Sequence, residues 1–202
     1  MINGAKAGGS RGSAAEERME VMSLDYIIRK AADEAGISET GEIAINELEY
    51  RDEVRRICEG NSCRGYGKTW ACPPAVGTLE ECRSRVESYN RMMLFSKVYE
   101  LKSSFDFEGM RSAMKDFKDV TEAFDKGLGK DFPPYMLLSN ESCHRCSECA
   151  YPDESCRFPE KLYHAIEGYG FVISELAVKA GMKYNNGPNT VTFFGALLWG
   201  RS

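Results

Sequence analysis

No stretch of this 202-residue chain comes near the run of about 18 apolar residues that a membrane-spanning helix requires. The N-terminus lacks the charged start, apolar middle and small-residue cleavage site of a secretory signal. Long basic runs are scarce and the formal charge is -5, which argues against nucleic acid as the main partner. The loops that mark common cofactors are missing as well. There is no GxxxxGKS or GxxxxGKT loop to cradle a phosphate, and no GxGxxG turn for a dinucleotide. The Cys-x3-Cys-x2-Cys spacing of a radical enzyme using S-adenosylmethionine does not occur, and no internal repeat is visible. What remains is a chain with 43% hydrophobic residues, long enough to bury one core.

Cysteine is where the chain is rich. Its eight cysteines would read as a disulfide framework in an exported protein. Here no export signal accompanies them, and Cys143, Cys146 and Cys149 keep the rhythm of metal ligands. The stretch Cys143-x2-Cys146-x2-Cys149-x6-Cys156, followed by Arg157, Phe158 and Pro159, organises the rest of the chain. A tight loop of this spacing turns three thiolates onto one cubic iron–sulfur cluster, while the fourth arrives from a short excursion. It departs from the ferredoxin run in its longer last gap and in a proline that is not directly behind the last cysteine. Zinc also accepts four thiolates, usually as two pairs, and is the alternative. His144 stands between two of these cysteines, either simply exposed, as a hydrogen-bond donor, or as an alternate ligand.

The second group, Cys58, Cys63, Cys72 and Cys82, is looser. Cys58, Cys63 and Cys72 belong to a glycine-rich loop ending in Pro73 and Pro74, where glycine lets the backbone approach an inorganic sulfur. Cys82 has two readings. It is either a fourth ligand in the first turns of a helix, where exposed amides stabilise a thiolate, or a free thiol on that helix's buried stripe. Four thiolates make a closed cluster suited to electron transfer. Three leave one iron open to water or substrate, as a Lewis acid or binding site. Arg64, Lys68 and Arg157 are candidates for balancing cluster charge. Tyr66, Trp70 and Tyr151 are candidates for shielding it from water.

The segments between these groups read as alternating helices and strands. Residues 1–22 look disordered, or a remnant of expression or of an upstream start codon, and residues 23–202 read as a single iron–sulfur domain. Leu24, Ile27, Ile28, Ala31, Ala32 and Ala35 predict a helix closed by Gly36. Ile43 and Ile45 suggest a short strand, and Val54, Ile57 and Cys58 the end of a helix. Thr78 and Glu81 form a capping box for a helix carrying Leu79, Cys82, Val86 and Tyr89 on its apolar face. Met92 to Leu101 predicts a strand, and Met110 to Phe124 a long helix broken by Gly127, Gly129, Pro133 and Pro134. Tyr135 to Leu138 is a short buried strand leading into the second cysteine loop. After Pro159, Leu162, Tyr163 and Ile166 predict a helix containing His164. Phe171 to Ile173 then reads as a strand, Leu176 to Ala180 as a helix, residues 183–190 as a turn and Val191 to Trp199 as a strand. The fold class is α/β or α+β: a small mixed sheet packed with helices, with cysteine-rich loops at element ends.

Cys63 with Tyr66-Gly67-Lys68, Trp70 and Cys72-Pro73-Pro74, then the 143–156 cysteines with Arg157 and Pro159, resembles a known pattern. It is similar to the predicted metal-binding family called domain of unknown function 2284. The spacing from Gly170 to Leu176 and the terminal Phe193-Phe194-Gly195 are similar too. The likeness covers the chain after about Ser23, and Cys82 is the position without a clear match. It implies metal binding, as iron–sulfur clusters, in bacteria and archaea that are often anaerobic. It implies no reaction.

The expectation is therefore a cytoplasmic protein with two [4Fe-4S] clusters, held by Cys58, Cys63, Cys72, Cys82, Cys143, Cys146, Cys149 and Cys156. It would pass single electrons to a redox partner. The alternatives are an enzyme binding a small-molecule substrate at an open iron, and a zinc-stapled interaction module.

Overall fold

The computed structural model describes residues 14–140 and 142–201, with side chains described between residues 23 and 200. Of the segment expected to be disordered, residues 1–13 lie outside this range. The rest belongs to α1 (Ala14–Ala35), which begins upstream of the expected Ser23. The chain continues through β1 (Glu39–Ala44), α2 (Asp52–Glu59), α3 (Leu79–Glu87), β2 (Tyr89–Glu100), α4 (Phe107–Leu128), β3 (Tyr135–Ser139), β4 (His164–Ala165), α5 (Ile173–Lys179) and β5 (Thr190–Arg201).

The strands form a mixed sheet in the order β1-β2-β5-β3-β4. Its pairs are antiparallel except β3 with β4, which is parallel. Successive strand residues point to opposite faces, and here both faces are covered. Met93 and Phe95 of β2, Leu137 of β3, and Leu197 and Trp199 of β5 pack under α1 and α4, against Ile28, Ala31, Phe117 and Phe124. Their neighbours Met92, Leu94, Leu138, Ala196 and Leu198 face the other way, onto Cys82, Val86, Ile166, Tyr169 and Leu176. That double burial explains why β2 and β5 read as continuous apolar runs without polar alternation.

Local signals place the element ends. Gly36 takes φ +72 after α1, and Ile37 N donates to Ala32 O at 3.0 Å, the closing bond of a Schellman turn. Thr78 and Glu81 exchange both capping-box bonds, at 2.7 and 3.1 Å. Three expectations differ from the structure. The helix after Pro159 is only a 3-10 turn (Pro159–Lys161), and His164 lies on β4. Leu138 and Ser139 claim His164 and Ala165 as strand partners, and tertiary pairing outweighs helical periodicity over so short a run. Ile45 belongs to a 3-10 turn (Ile45–Glu47). Phe171 lies outside any strand, buried in the core, ahead of the earlier start of α5 at Ile173.

The terminal Phe-Phe-Gly has a packing reason. Gly195 pairs with Phe95 across the ladder. A Cβ at Gly195 would run into the Phe95 ring and lie 2.8 Å from Leu138 O. Gly195→Ala is therefore expected to destabilise the fold by about 1–3 kcal/mol through overpacking, measured as a lower urea midpoint. An unchanged midpoint would mean that the Phe95 ring is free to move aside.

Candidate metal centre

Cys58, Cys63 and Cys72 of the first group and all four cysteines of the second gather near the sheet edge formed by β3 and β4. The first occupies the connection from α2 to α3, and the second the crossover from β3 to β4. All eight cysteines are free thiols. The loops are joined by main chain: Ala165 N of β4 donates to Ala71 O at 2.8 Å, so the first loop is bonded to the strand at which the second ends.

Cys58, Cys63 and Cys72 line one cavity of about 390 Å³, with Tyr66, Glu167, Ile173 and Tyr184 among its other walls. Cys58 lies in the last turn of α2, and α2 is held in place by Arg55, whose guanidinium donates to Gly168 O at 2.6 Å and to Gly77 O at 2.7 Å. Asn61 (φ 53) and Arg64 (φ 62) turn the following loop through left-handed conformations that are uncommon for residues other than glycine. Asn61 Oδ1 steadies the turn by accepting from Tyr66 N at 3.0 Å.

Cys82 is elsewhere. It is fully enclosed in the apolar core, where its thiol donates to Val76 O at 3.5 Å. It does not line the cavity shared by Cys58, Cys63 and Cys72.

Cys143, Cys146, Cys149 and Cys156 all line a second cavity of about 470 Å³. Arg64, Lys68 and Trp70, which the sequence puts beside the first cysteine group, wall this second cavity. Trp70 meets Tyr151 edge-on at 4.9 Å and donates to Glu154 O at 3.0 Å, so the first loop closes one side of the second. Arg157 instead braces its own loop, donating to Glu148 O at 2.9 Å. His144 is exposed, with a left-handed backbone at φ 54. The polar turn after Tyr184 is self-bonded through Asn185 and Asn186, and Tyr184 itself reaches the first cavity.

Gly65 is the point of closest approach between the loops. A Cβ there would lie 2.9 Å from both Cys72 Sγ and Ser142 Oγ, and Ser142 directly precedes Cys143. Thr69 and Ser142 favour the ionised form of Cys72, and Ser142 Oγ donates to Thr69 Oγ1 at 3.4 Å.

The thiols are not idle hydrocarbon. Burial, with Glu167, Cys63 and Cys72 nearby, pushes Cys58 up to about 11. Burial also raises Cys72 and Cys143, against the pull of Lys118 on both. Protonated thiols must lose their protons to bind a metal, so loading releases protons. Lys118 is only 6% exposed and donates to Asn140 O, and its charge is felt by both Cys72 and Cys143.

Reasoning from sequence missed Lys118, Ser142, Thr69, Glu122 and Glu167. A signal existed for two of them. Lys118 and Glu122 follow Met114 at helical spacing, a polar stripe flanking the apolar face of α4. Ser142, Thr69 and Glu167 carry no such pattern.

Among the described residues, no three cysteine, histidine or carboxylate side chains converge where one metal ion would be held. Cys58, Cys63, Cys72, Cys143, Cys146, Cys149 and Cys156 line the two cavities. A family model for predicted metal-binding proteins, DUF2284, matches residues 41–199, a range that contains all eight cysteines. The chain belongs to this family. Comparison with curated proteins and with solved structures gives no match. Among the described residues no helix is long and apolar enough to cross a membrane.

The second loop of this DUF2284 protein is anchored by one carboxylate. Glu122 on α4 lies 2.8 Å from Arg145, 2.9 Å from Lys161 and 2.6 Å from Lys126. Hydrogen bonds from Lys126 and Lys161, with the charge of Arg145, hold it down to about 2. A carboxyl depressed in the folded state stabilises above its unfolded value, near 4.5, and that contribution fades as pH falls toward 2. Glu122→Gln is expected to cost about 1–2 kcal/mol at neutral pH, between exposed and buried pairs. Denaturation of both proteins across the acid range should show the difference shrinking to nothing; a constant difference would sink the assignment.

Proposed function

We propose that this metal-binding protein holds two [4Fe-4S] clusters, one in each cysteine-lined cavity, and passes single electrons to a partner enzyme. Cys143, Cys146, Cys149 and Cys156 would hold the second cluster. Cys58, Cys63 and Cys72 would hold the first. Such clusters supply reversible one-electron chemistry.

The observation that carries this reading is the contact between the loops, with Cys72 Sγ and Ser142 Oγ packed around Gly65. Two redox groups so arranged exchange electrons without a further mediator. The donor set fits the group. Thiolates spread around a wide cavity suit a polynuclear body in which each binds its own iron. A single zinc ion would draw four sulfurs to about 3.8 Å from one another. Lys118, Arg64, Lys68 and Arg145 supply positive charge beside those thiolates. A reducing compartment such as the cytoplasm suits eight free thiols.

A second reading, in which one iron of the first cluster is open to a small molecule, is favoured by the place of Cys82 in the core. On this reading the two activities combine, with electrons arriving through the second site and ligand held at the first.

The test is iron, zinc and acid-labile sulfide per chain in protein purified without oxygen, with paramagnetic spectra before and after dithionite. About eight iron and eight sulfide are expected. Cys82→Ala should keep that content, whereas Cys63→Ala should lower it by roughly half. Loss of iron from a folded Cys82→Ala protein would mean that Cys82 closes the first cluster. Zinc without iron or sulfide would overturn the redox reading altogether.

A further inference from the structure

We infer that a basic recess between α4 and the second cysteine loop is a binding site for a small oxyanion of two or more negative charges, a phosphate or a dicarboxylate. The recess is separate from both proposed cluster positions.

Its volume of about 380 Å³ falls within the range of small-molecule sites, roughly 300–1,000 Å³. Three segments supply its cations. Lys115 and Lys118 come from α4, Arg145 from the crossover between β3 and β4, and Lys161 from the 3-10 turn ahead of β4. Among the described residues, Asp119 is the one carboxylate in its walls. Cys143 is the one cysteine there, whereas Cys146, Cys149 and Cys156 line the neighbouring cavity and not this one. A cluster held by those four thiolates would occupy the neighbouring cavity and leave the recess to a ligand.

The cations are gathered by a group on the same helix. Glu122, one turn beyond Lys118, draws in Arg145 at 2.8 Å and Lys161 at 2.9 Å. It also pairs with Lys126 at 2.6 Å, so its single charge leaves the group positive. The hydrogen bonds to Glu122 come from Lys126 and Lys161, while Arg145 Nη2 is buried beside it without one. Lys115 is exposed and forms no ion pair among the described residues. A ligand with one negative charge would engage one of these cations and leave the others; two or more charges match a set spread over three segments. Lysine acts as a point charge and arginine offers a fork for paired oxygens, a combination suited to phosphate and carboxylate alike. The chain as a whole carries -5, so the recess reverses the prevailing sign locally.

The test is calorimetric titration of the full chain, purified without oxygen, with phosphate, succinate and acetate, and with iron and sulfide measured on the same sample. Phosphate or succinate should bind at least about tenfold more tightly than acetate, with an advantage that shrinks as salt is added. The tighter of the two names the group that the site takes. Lys115→Glu, a reversal at an exposed position, should weaken that ligand by at least about fivefold. Lys183→Glu, an exposed position beside β1 at the far edge of the sheet, should leave it unchanged. Binding of neither probe above acetate, or equal losses in the two variants, would overturn the site. Oxyanion binding that follows Lys115 in a sample without iron or sulfide would keep the site and sink the cluster reading. A full iron load without oxyanion binding would do the reverse.

Discussion

Leu94, Phe95, Ala196 and Leu197 are completely enclosed because the β2–β5 ladder is covered on both faces, and that double covering constrains everything else. A sheet so enclosed has no free face on which to build a site, so the chemistry is pushed to its edge, where β3 and the two-residue β4 run parallel. The crossover between two parallel strands must be long, and here it carries the second cysteine group. The first group comes to the same edge from the other side, through the bond between Ala165 and Ala71. Neither loop buries a core of its own. Each is held by a few polar contacts to a rigid element: Arg55 for α2 and Cys58, Glu122 for the loop containing Arg145.

Packing two cysteine loops together raises an electrostatic difficulty. Thiolates disfavour one another, and burial disfavours each of them. Lys118 meets both problems from a position that would otherwise be expensive, since a lysine is almost never fully buried without compensation. Its ammonium bonds Asn140 O, one residue beyond β3, and its charge favours the ionised forms of both Cys72 and Cys143. A thiolate formed at either sulfur is attracted by this buried cation. The left-handed backbones at Asn61, Arg64 and His144 belong to the same pattern, because strained conformations persist where the surroundings over-determine them.

Much of this architecture was legible from residues alone. The capping box at Thr78, the helix stop at Gly36, the long helix ending near Gly129 and the apolar runs of β2, β3 and β5 follow local rules of period and turn chemistry. The positions of the two cysteine groups along the chain are a matter of local spacing as well. What could not be read was long-range. His164 carries no mark of the strand partner that Leu138 provides. Arg64 and Lys68 neighbour one cysteine group in sequence and wall the other in space. Cys82 obeyed helical periodicity, and the stripe it occupies is core, which local spacing alone could not separate from a ligand position. Glu167 is invisible until its 3-10 turn is packed against the end of α2.

On the proposed reading, the two cavities differ in a way that bears on electron flow. Arg64, Lys68 and Arg145 line the second cavity, and among the described residues no lysine, arginine or histidine lines the first. Positive side chains stabilise the more negative, reduced state of a nearby group, and so favour electron uptake there. The second cavity also has one more thiolate than the first, which opposes uptake by adding negative charge. These influences oppose each other at the second site, while the apolar walls and Glu167 of the first disfavour added charge without a fourth thiolate to add to the burden. On the proposed reading, the arginines and lysine therefore keep the four-thiolate site from lying far below its neighbour in potential. On that reading electrons pass through the contact at Gly65 instead of remaining trapped at one end.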